Sequence, residues 1–221
     1  MLHAPTLMGV AVDVAVFTVQ KGELHVLLLR MKRAPFTGKW ALPGGRIGAA
    51  ESVEDAAARE LAEKTGLAKV YLEQLYTFSR PDRDPQGRCI SVAHLALIPP
   101  TAQLRTTDKY SAIGWFPAER LPPLAFDHRA IAGYAVKRLR AKLAYTNVAY
   151  SLLDERFTLG ELQRVYEAIL GRPLDARNFR RRIREIDLVE ETGELRTGRA
   201  HRPARLFRFA HRKPVEVAVL T

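Results

Sequence analysis

The sequence predicts an α/β protein in two modules, a larger mixed module over residues 1–144 and a small winged helix-turn-helix over residues 145–221. Three observations predict it. β-branched and aliphatic runs in the first half are bounded by turn residues and separated by one acid-rich helix. Two short amphipathic segments near the C-terminus share a tight turn, and a basic hairpin follows them.

Val10 to Val19 and Leu24 to Leu29 read as strands joined around Lys21-Gly22, and Ile90 to Ile98 as another. The helix between them starts at about Val53, because Ser52 followed by Asp55 is a capping pattern, and Thr65-Gly66 supplies a left-handed stop after Lys64. On it Arg59, Glu60 and Glu63 lie within one turn, while Ala57 and Leu61 point elsewhere. Clustered carboxylates suit magnesium or manganese, hard ions that bridge to substrate phosphates. A solvated helix face would carry the same acids, so the wider pattern decides. Gly45, Glu51, Arg59, Glu60, Leu61, Glu63, Gly66 and Leu67 fall in one fixed register, preceded by Trp40-Ala41-Leu42-Pro43-Gly44. This resembles the Nudix box. The resemblance implies a Nudix-type α/β/α sandwich over the first two-thirds of the chain, cleavage of nucleoside diphosphates linked to another group, and box glutamates that hold the metal.

One position departs from the box. Lys64 stands where its last Glu should be. A Lys in the last turn also complements the helix dipole, but in this register it removes a metal ligand and repels the ion. The expected domain is catalytically impaired and requires no cofactor. Glu51, Arg59, Glu60, Glu63 and Lys64 form a vestigial box, with Glu60 and Glu63 the carboxylates left for any magnesium. A fixed ammonium can serve instead as the counterion of a diphosphate.

At 221 residues the chain is long enough for two cores. One cysteine, Cys89, excludes an internal disulfide, and no apolar stretch is long enough to span a membrane. These features predict a cytoplasmic, nucleoid-associated protein without a membrane partner. The net charge of +11 points to polyanions, either phosphate ligands or nucleic acid.

Arg129 to Leu143 shows helical spacing and closes the first module near Ala144. Thr158 with Glu161 then opens a helix with an apolar face of Leu159, Leu162, Val165, Tyr166 and Ile169, stopped by Gly171-Arg172-Pro173. Asp175 caps a second helix, Ala176 to about Asp187, with Phe179, Ile183 and Ile186 inward and Arg177, Arg181 and Arg184 on the far face. A solvated cationic helix would look the same, but a hairpin follows: Leu188-Val189-Glu190, a turn at Thr192-Gly193, a basic tip through Arg199, His201 and Arg202, and a returning strand from Arg205. In that order the elements make a winged helix-turn-helix with the second helix in the major groove. Asn178 and Arg181 are the base-reading candidates. Arg177, Arg199, Arg202 and Arg205 are placed on phosphates, Asn178, Arg180 and Arg182 lie on the flanks of the helix beside Arg184, and His201 sits at the wing tip.

Joined to the altered box, this module makes the whole chain resemble the NrtR family, Nudix-related transcriptional regulators of NAD metabolism. Tyr71 to Phe78 leading to Arg88 to Ala93, and Phe157 to Gln163 leading to Asn178 to Ile183, carry the resemblance beyond the box. It implies a homodimer on palindromic operator DNA, repression of NAD biosynthesis or salvage genes, and release by ADP-ribose or a related nucleotide. The alternative is an active ADP-ribose pyrophosphatase with an accessory basic domain. Arg46 and Lys64 are expected at the diphosphate. Trp40 and Phe78 either stack on the base or pack, Arg80 and Arg83 with Asp82 and Asp84 either line a ribose and diphosphate site or form a solvated turn, and Arg88 is placed among the ligand-binding residues.

Overall fold

The computed structural model describes residues 8–105, 107–196 and 203–217. Gly9–Gln20 (β1) and Glu23–Met31 (β2) are joined by Lys21 and Gly22, both at positive φ, 51° and 78°. Two left-handed residues are what a tight hairpin needs, and glycine adopts that conformation without strain. Trp40–Ala41 (β3), Gly44–Arg46 (β4), the helix Val53–Thr65 (α1), Tyr71–Phe78 (β5), Cys89–Leu97 (β6), Tyr110–Pro117 (β7) and the helix His128–Leu143 (α2) follow.

The seven strands form one sheet in the order β3-β2-β1-β6-β5, with β4 paired to β1 and β7 to β2. β1 and β6 run parallel, with Asp13 opposite Ala93 and Val14 opposite His94. Asp13 and His94 therefore point to opposite faces. α2 covers the Asp13 face, where His128 Nε2 lies 3.1 Å from Asp13 Oδ1. α1 covers the other face, where Glu54 contributes to the charge environment of His94. The result is the expected α/β/α sandwich. Val14, Ala15, Val16 and Phe17 of β1 and Val26 to Leu29 of β2 are fully buried, the continuous apolar runs of strands covered on both sides. Ser52 caps α1 by accepting the Asp55 N–H at 3.1 Å, and Gly66, at φ 74°, ends it. Cys89 is a buried free thiol.

Two compact units result. The first comprises the chain up to Phe17, His25–Leu97 and Ala102–Ala135; the second comprises Thr18–Leu24, Ile98–Thr101 and the chain from Val136. In the second, a 3-10 turn at Val148–Leu152 precedes Leu159–Leu170 (α3), Ala176–Glu185 (α4), Val189–Arg196 (β8) and Ala204–Phe209 (β9). The Thr158 side chain and the Glu161 carboxylate cap each other's backbone at the start of α3. All five residues expected on its apolar face are buried. Two details differ from the sequence expectation. α4 stops at Glu185 because Asp187 takes a left-handed φ of 48°. Thr192-Gly193 is not a turn: β8 continues through it with a register shift between Glu191 and Leu195. Gly193 absorbs the irregularity at φ 77°, and Thr192 Oγ1 donates to Leu206 O at 3.0 Å.

Candidate ligand and nucleic-acid sites

In α1 the box residues form a closed electrostatic set. Arg59 grips Glu51 through Nε at 2.9 Å and Nη2 at 2.6 Å, reaches Glu60 at 2.8 Å through Nη1, and lies 3.6 Å from Glu63. The Arg59 guanidinium and the Gly48 N–H hold the Glu51 carboxyl down at about 2. Lys64 Nζ stands 2.7 Å from Glu60 Oε2 and also donates to the Gly44 carbonyl. Its side chain is 13% exposed. Burial would lower the Lys64 ammonium, but Tyr110 and Glu60 outweigh it and the net shift is upward, so the charge is kept. A Cβ at Gly44 would collide with the Val12 carbonyl and the Asp13 backbone, so that position needs glycine, whereas one at Gly45 would displace the Glu60 carboxyl.

Beside this set lies a cavity of about 210 Å³, bounded by Gly44, Gly45, Arg46, Lys64, Tyr110 and Phe126. The Arg46 guanidinium makes no side-chain hydrogen bond or ion pair among the described residues. The cavity floor carries Asp13, which accepts from Ser91 Oγ at 2.6 Å, Arg83 Nη2 at 3.1 Å and His128 Nε2 at 3.1 Å. The other His128 nitrogen, Nδ1, accepts the Leu42 N–H at 2.9 Å, which fixes Nε2 as the donor to Asp13. Burial pushes the Asp13 carboxyl upward, but His128, Ser91 and Arg83 together hold it well below the usual carboxylate range. Through Arg83 and Phe126 the cavity adjoins a broader cleft of about 600 Å³ that includes Phe36, Lys39 and Arg129. Phe126 sits at φ 52°, a strained conformation for an aromatic residue, with its ring 4.3 Å from that of Phe36.

The expected ligand residues separate into two groups. Arg46, Lys64 and Arg83 line the cavity, though Arg83 is spent on Asp13 and on Asp127 at 2.8 Å. Arg80 lines the broader cleft and pairs with Asp82 at 2.7 Å. Trp40, Phe78 and Arg88 are not brought to the cavity. Trp40 packs edge-on against Phe116 at 4.6 Å, Phe78 against Tyr76 at 5.4 Å, and Arg88 Nη1 braces the loop by donating to Ser79 O at 2.9 Å.

In the second unit α4 projects a cationic surface. Arg177, Asn178, Arg180, Arg181 and Arg184 are all exposed, while Ile183 is buried beneath them. Arg177, Arg180 and Arg184 make no ion pair among the described residues, and Arg181 lies 3.7 Å from Glu185. Arg205 pairs with Glu191 at 2.7 Å across the wing. Arg199, His201 and Arg202 lie outside the described residues.

Comparison with known proteins decides the family. Residues 8–139 match the NUDIX domain and residues 149–209 the NrtR DNA-binding winged helix domain. The ADPR responsive transcriptional repressor of Acinetobacter baylyi is 39% identical over 203 residues, 90% of this chain and 81% of that one. This chain belongs to the NrtR family. Shewanella oneidensis NrtR, solved with a 27mer DNA, superposes with a TM-score of 0.79 at 39% identity over 90% of this chain and 93% of its own. Its Nudix domain, solved with ADP ribose, matches with a TM-score of 0.57 at 35% identity over 63% of this chain and 93% of that domain.

Within this NrtR-family chain, several cavity residues were not singled out from sequence. Asp13 had a signal, a lone carboxylate inside Val10 to Val16, which a buried strand tolerates only when paired. Ser91 and His128 had none, because only the fold brings them to Asp13, and Asp127 had none because only the fold brings it to Arg83.

Proposed function

We propose that this NrtR-family protein is a transcriptional repressor of NAD biosynthesis or salvage genes. In this reading it acts in the cytoplasm as a homodimer on palindromic operator DNA. Residues 145–221 bind the DNA, with α4 as the recognition helix and the wing on the backbone. Residues 1–144 sense ADP-ribose or a related nucleotide, whose binding releases the operator.

The observation that carries the sensor reading is the place of Lys64. Its ammonium occupies the point where the Gly44 carbonyl and the Glu60 carboxylate converge. Arg59 engages the other box carboxylates. These residues do not fit a resident magnesium, since two fixed cations already neutralise the acids that would hold it. No catalytic step is therefore assigned to the box. Lys64, as a fixed positive charge, and Arg46, whose guanidinium makes no ion pair among the described residues, instead line the cavity as counterions for a diphosphate. At about 210 Å³ the cavity takes only part of a dinucleotide-sized ligand, and the adjoining cleft of about 600 Å³ supplies the remaining room. The test is an anisotropy titration of a palindromic operator with and without ADP-ribose, beside a hydrolysis assay with magnesium. Release of DNA without AMP formation is expected. Robust AMP formation with no effect on DNA would favour the pyrophosphatase instead.

A further inference from the structure

The two helices of the winged domain enclose a second cavity that the nucleotide site does not use. Its volume is about 260 Å³, and Tyr166 of α3, Leu174 of the connecting turn and Phe179 of α4 supply its apolar wall. The Tyr166 and Phe179 rings meet edge to face at 5.2 Å. The Tyr166 hydroxyl is fully buried and has no hydrogen-bond partner among the described residues. Burial alone pushes the phenol well above its usual range, so it stays a neutral donor and acceptor. Buried hydroxyls are rarely left unpaired, and this one belongs to a residue that bounds the cavity, so an occupant that displaces the wall slightly would find a polar anchor there.

The rest of the cavity lining is Arg172, Asp175, Asn178, Arg181 and Arg182, three guanidinium groups to one carboxylate. Arg172 makes no side-chain hydrogen bond or ion pair among the described residues. Arg181 and Arg182 also line the cavity and share one carboxylate, Glu185, at 3.7 Å and 3.6 Å. Asp175 is engaged as the cap of α4, accepting the Asn178 N–H at 2.7 Å. Guanidinium groups set around an aromatic slot select a planar anion, since they match a carboxylate in shape and charge. The volume falls below the range of pockets that hold drug-sized ligands, which limits the occupant to about one ring.

We propose that this cavity binds a small aromatic monocarboxylate, with its ring between Tyr166, Leu174 and Phe179, a polar ring substituent on the Tyr166 hydroxyl, and its carboxylate on Arg172 and Arg181. Asn178 and Arg181 also lie on the face assigned to DNA, so the occupant and the operator exclude each other. That exclusion rests on the proposed function, whereas the binding itself does not.

Calorimetric titration of the full chain without DNA, using benzoate and 4-hydroxybenzoate, tests the site. The hydroxylated probe should bind roughly five- to tenfold more tightly, the worth of one net hydrogen bond. Tyr166→Phe should erase that difference at an unchanged melting temperature, because the deleted hydroxyl has no partner to lose. Arg172→Ala should weaken both probes, Leu174→Trp should block both, and ADP-ribose should compete with neither. Equal affinity for the two probes in the parent protein, or a preference that survives Tyr166→Phe, overturns the site. In a separate arm 4-hydroxybenzoate should lower operator affinity; intact probe binding with unchanged DNA affinity would overturn the exclusion and leave the site standing.

Discussion

Replacing Lys64 with Ala removes the cation proposed as the counterion of the nucleotide diphosphate. The ammonium is largely buried and sits 2.7 Å from Glu60, with Arg46 as the neighbouring free cation. Two unit charges about 4 Å apart interact by about 4 kcal/mol at an effective dielectric constant near 20, before desolvation is subtracted. A hydrogen bond to a charged group retains about 1.5 to 3 kcal/mol of that, so ADP-ribose should bind about 10- to 150-fold more weakly. Part of the loss would come from Glu60, whose freed carboxylate repels a diphosphate. Arg59 still holds Glu60 at 2.8 Å, so the helix should survive. Adding Glu60→Gln to Lys64→Ala should restore some affinity by deleting the repulsion. Calorimetry on the full chain reads both variants. Unchanged ADP-ribose affinity in a folded Lys64→Ala protein would refute the counterion argument.

Other predictions follow from the buried network and from α4. Asp13 has a folded-state pKa below its unfolded value of about 3.9, so its stabilisation is complete above that pH and disappears as pH falls below it. Asp13→Asn should cost about 3 to 5 kcal/mol by leaving Arg83 and His128 short of a buried partner, and should flatten the acid limb in urea unfolding below about pH 4. An equally steep acid limb in the variant would assign the effect to other carboxylates. Arg181→Ala should cost about 1 to 3 kcal/mol on the operator and blur one base pair per half-site. Arg177→Ala should weaken all duplexes alike and reduce the salt slope by about one, as measured by titration at two salt concentrations.

The elements that could be read in the sequence are those whose information is local. Ser52 with Asp55 and Thr158 with Glu161 announced two helix starts, because a cap is built from residues three apart. The parallel pairing of β1 with β6 had no local signal, since it joins residues about eighty positions apart. β5 and β7 were missed as strands because both are partly exposed, and a register shift after Gln74 breaks the alternation of β5. In the site, Lys64 could be read because the box fixes its register. Arg83 was legible only as a cation; its commitment to Asp13 and Asp127 depends on three segments meeting. Trp40 and Phe78 show the same limit, because an aromatic residue beside a motif packs or stacks according to neighbours that the chain supplies from elsewhere.

The central claim is that one ligand-controlled equilibrium links the cation-filled Nudix cavity to DNA binding. A ligand moves such an equilibrium only by its differential affinity for the two states, and the coupling is reciprocal. The direct measurement is operator affinity across a series of ADP-ribose concentrations, for the parent protein and for Lys64→Ala, at two salt concentrations. The account predicts that saturating ADP-ribose weakens operator binding by about 1 to 3 kcal/mol in the parent, at both salts. In Lys64→Ala the ligand-free DNA affinity should be unchanged, and the response should require far more ligand. If ADP-ribose leaves operator affinity unchanged, or displaces DNA equally from both proteins by occupying the basic wing, the sensor account is wrong.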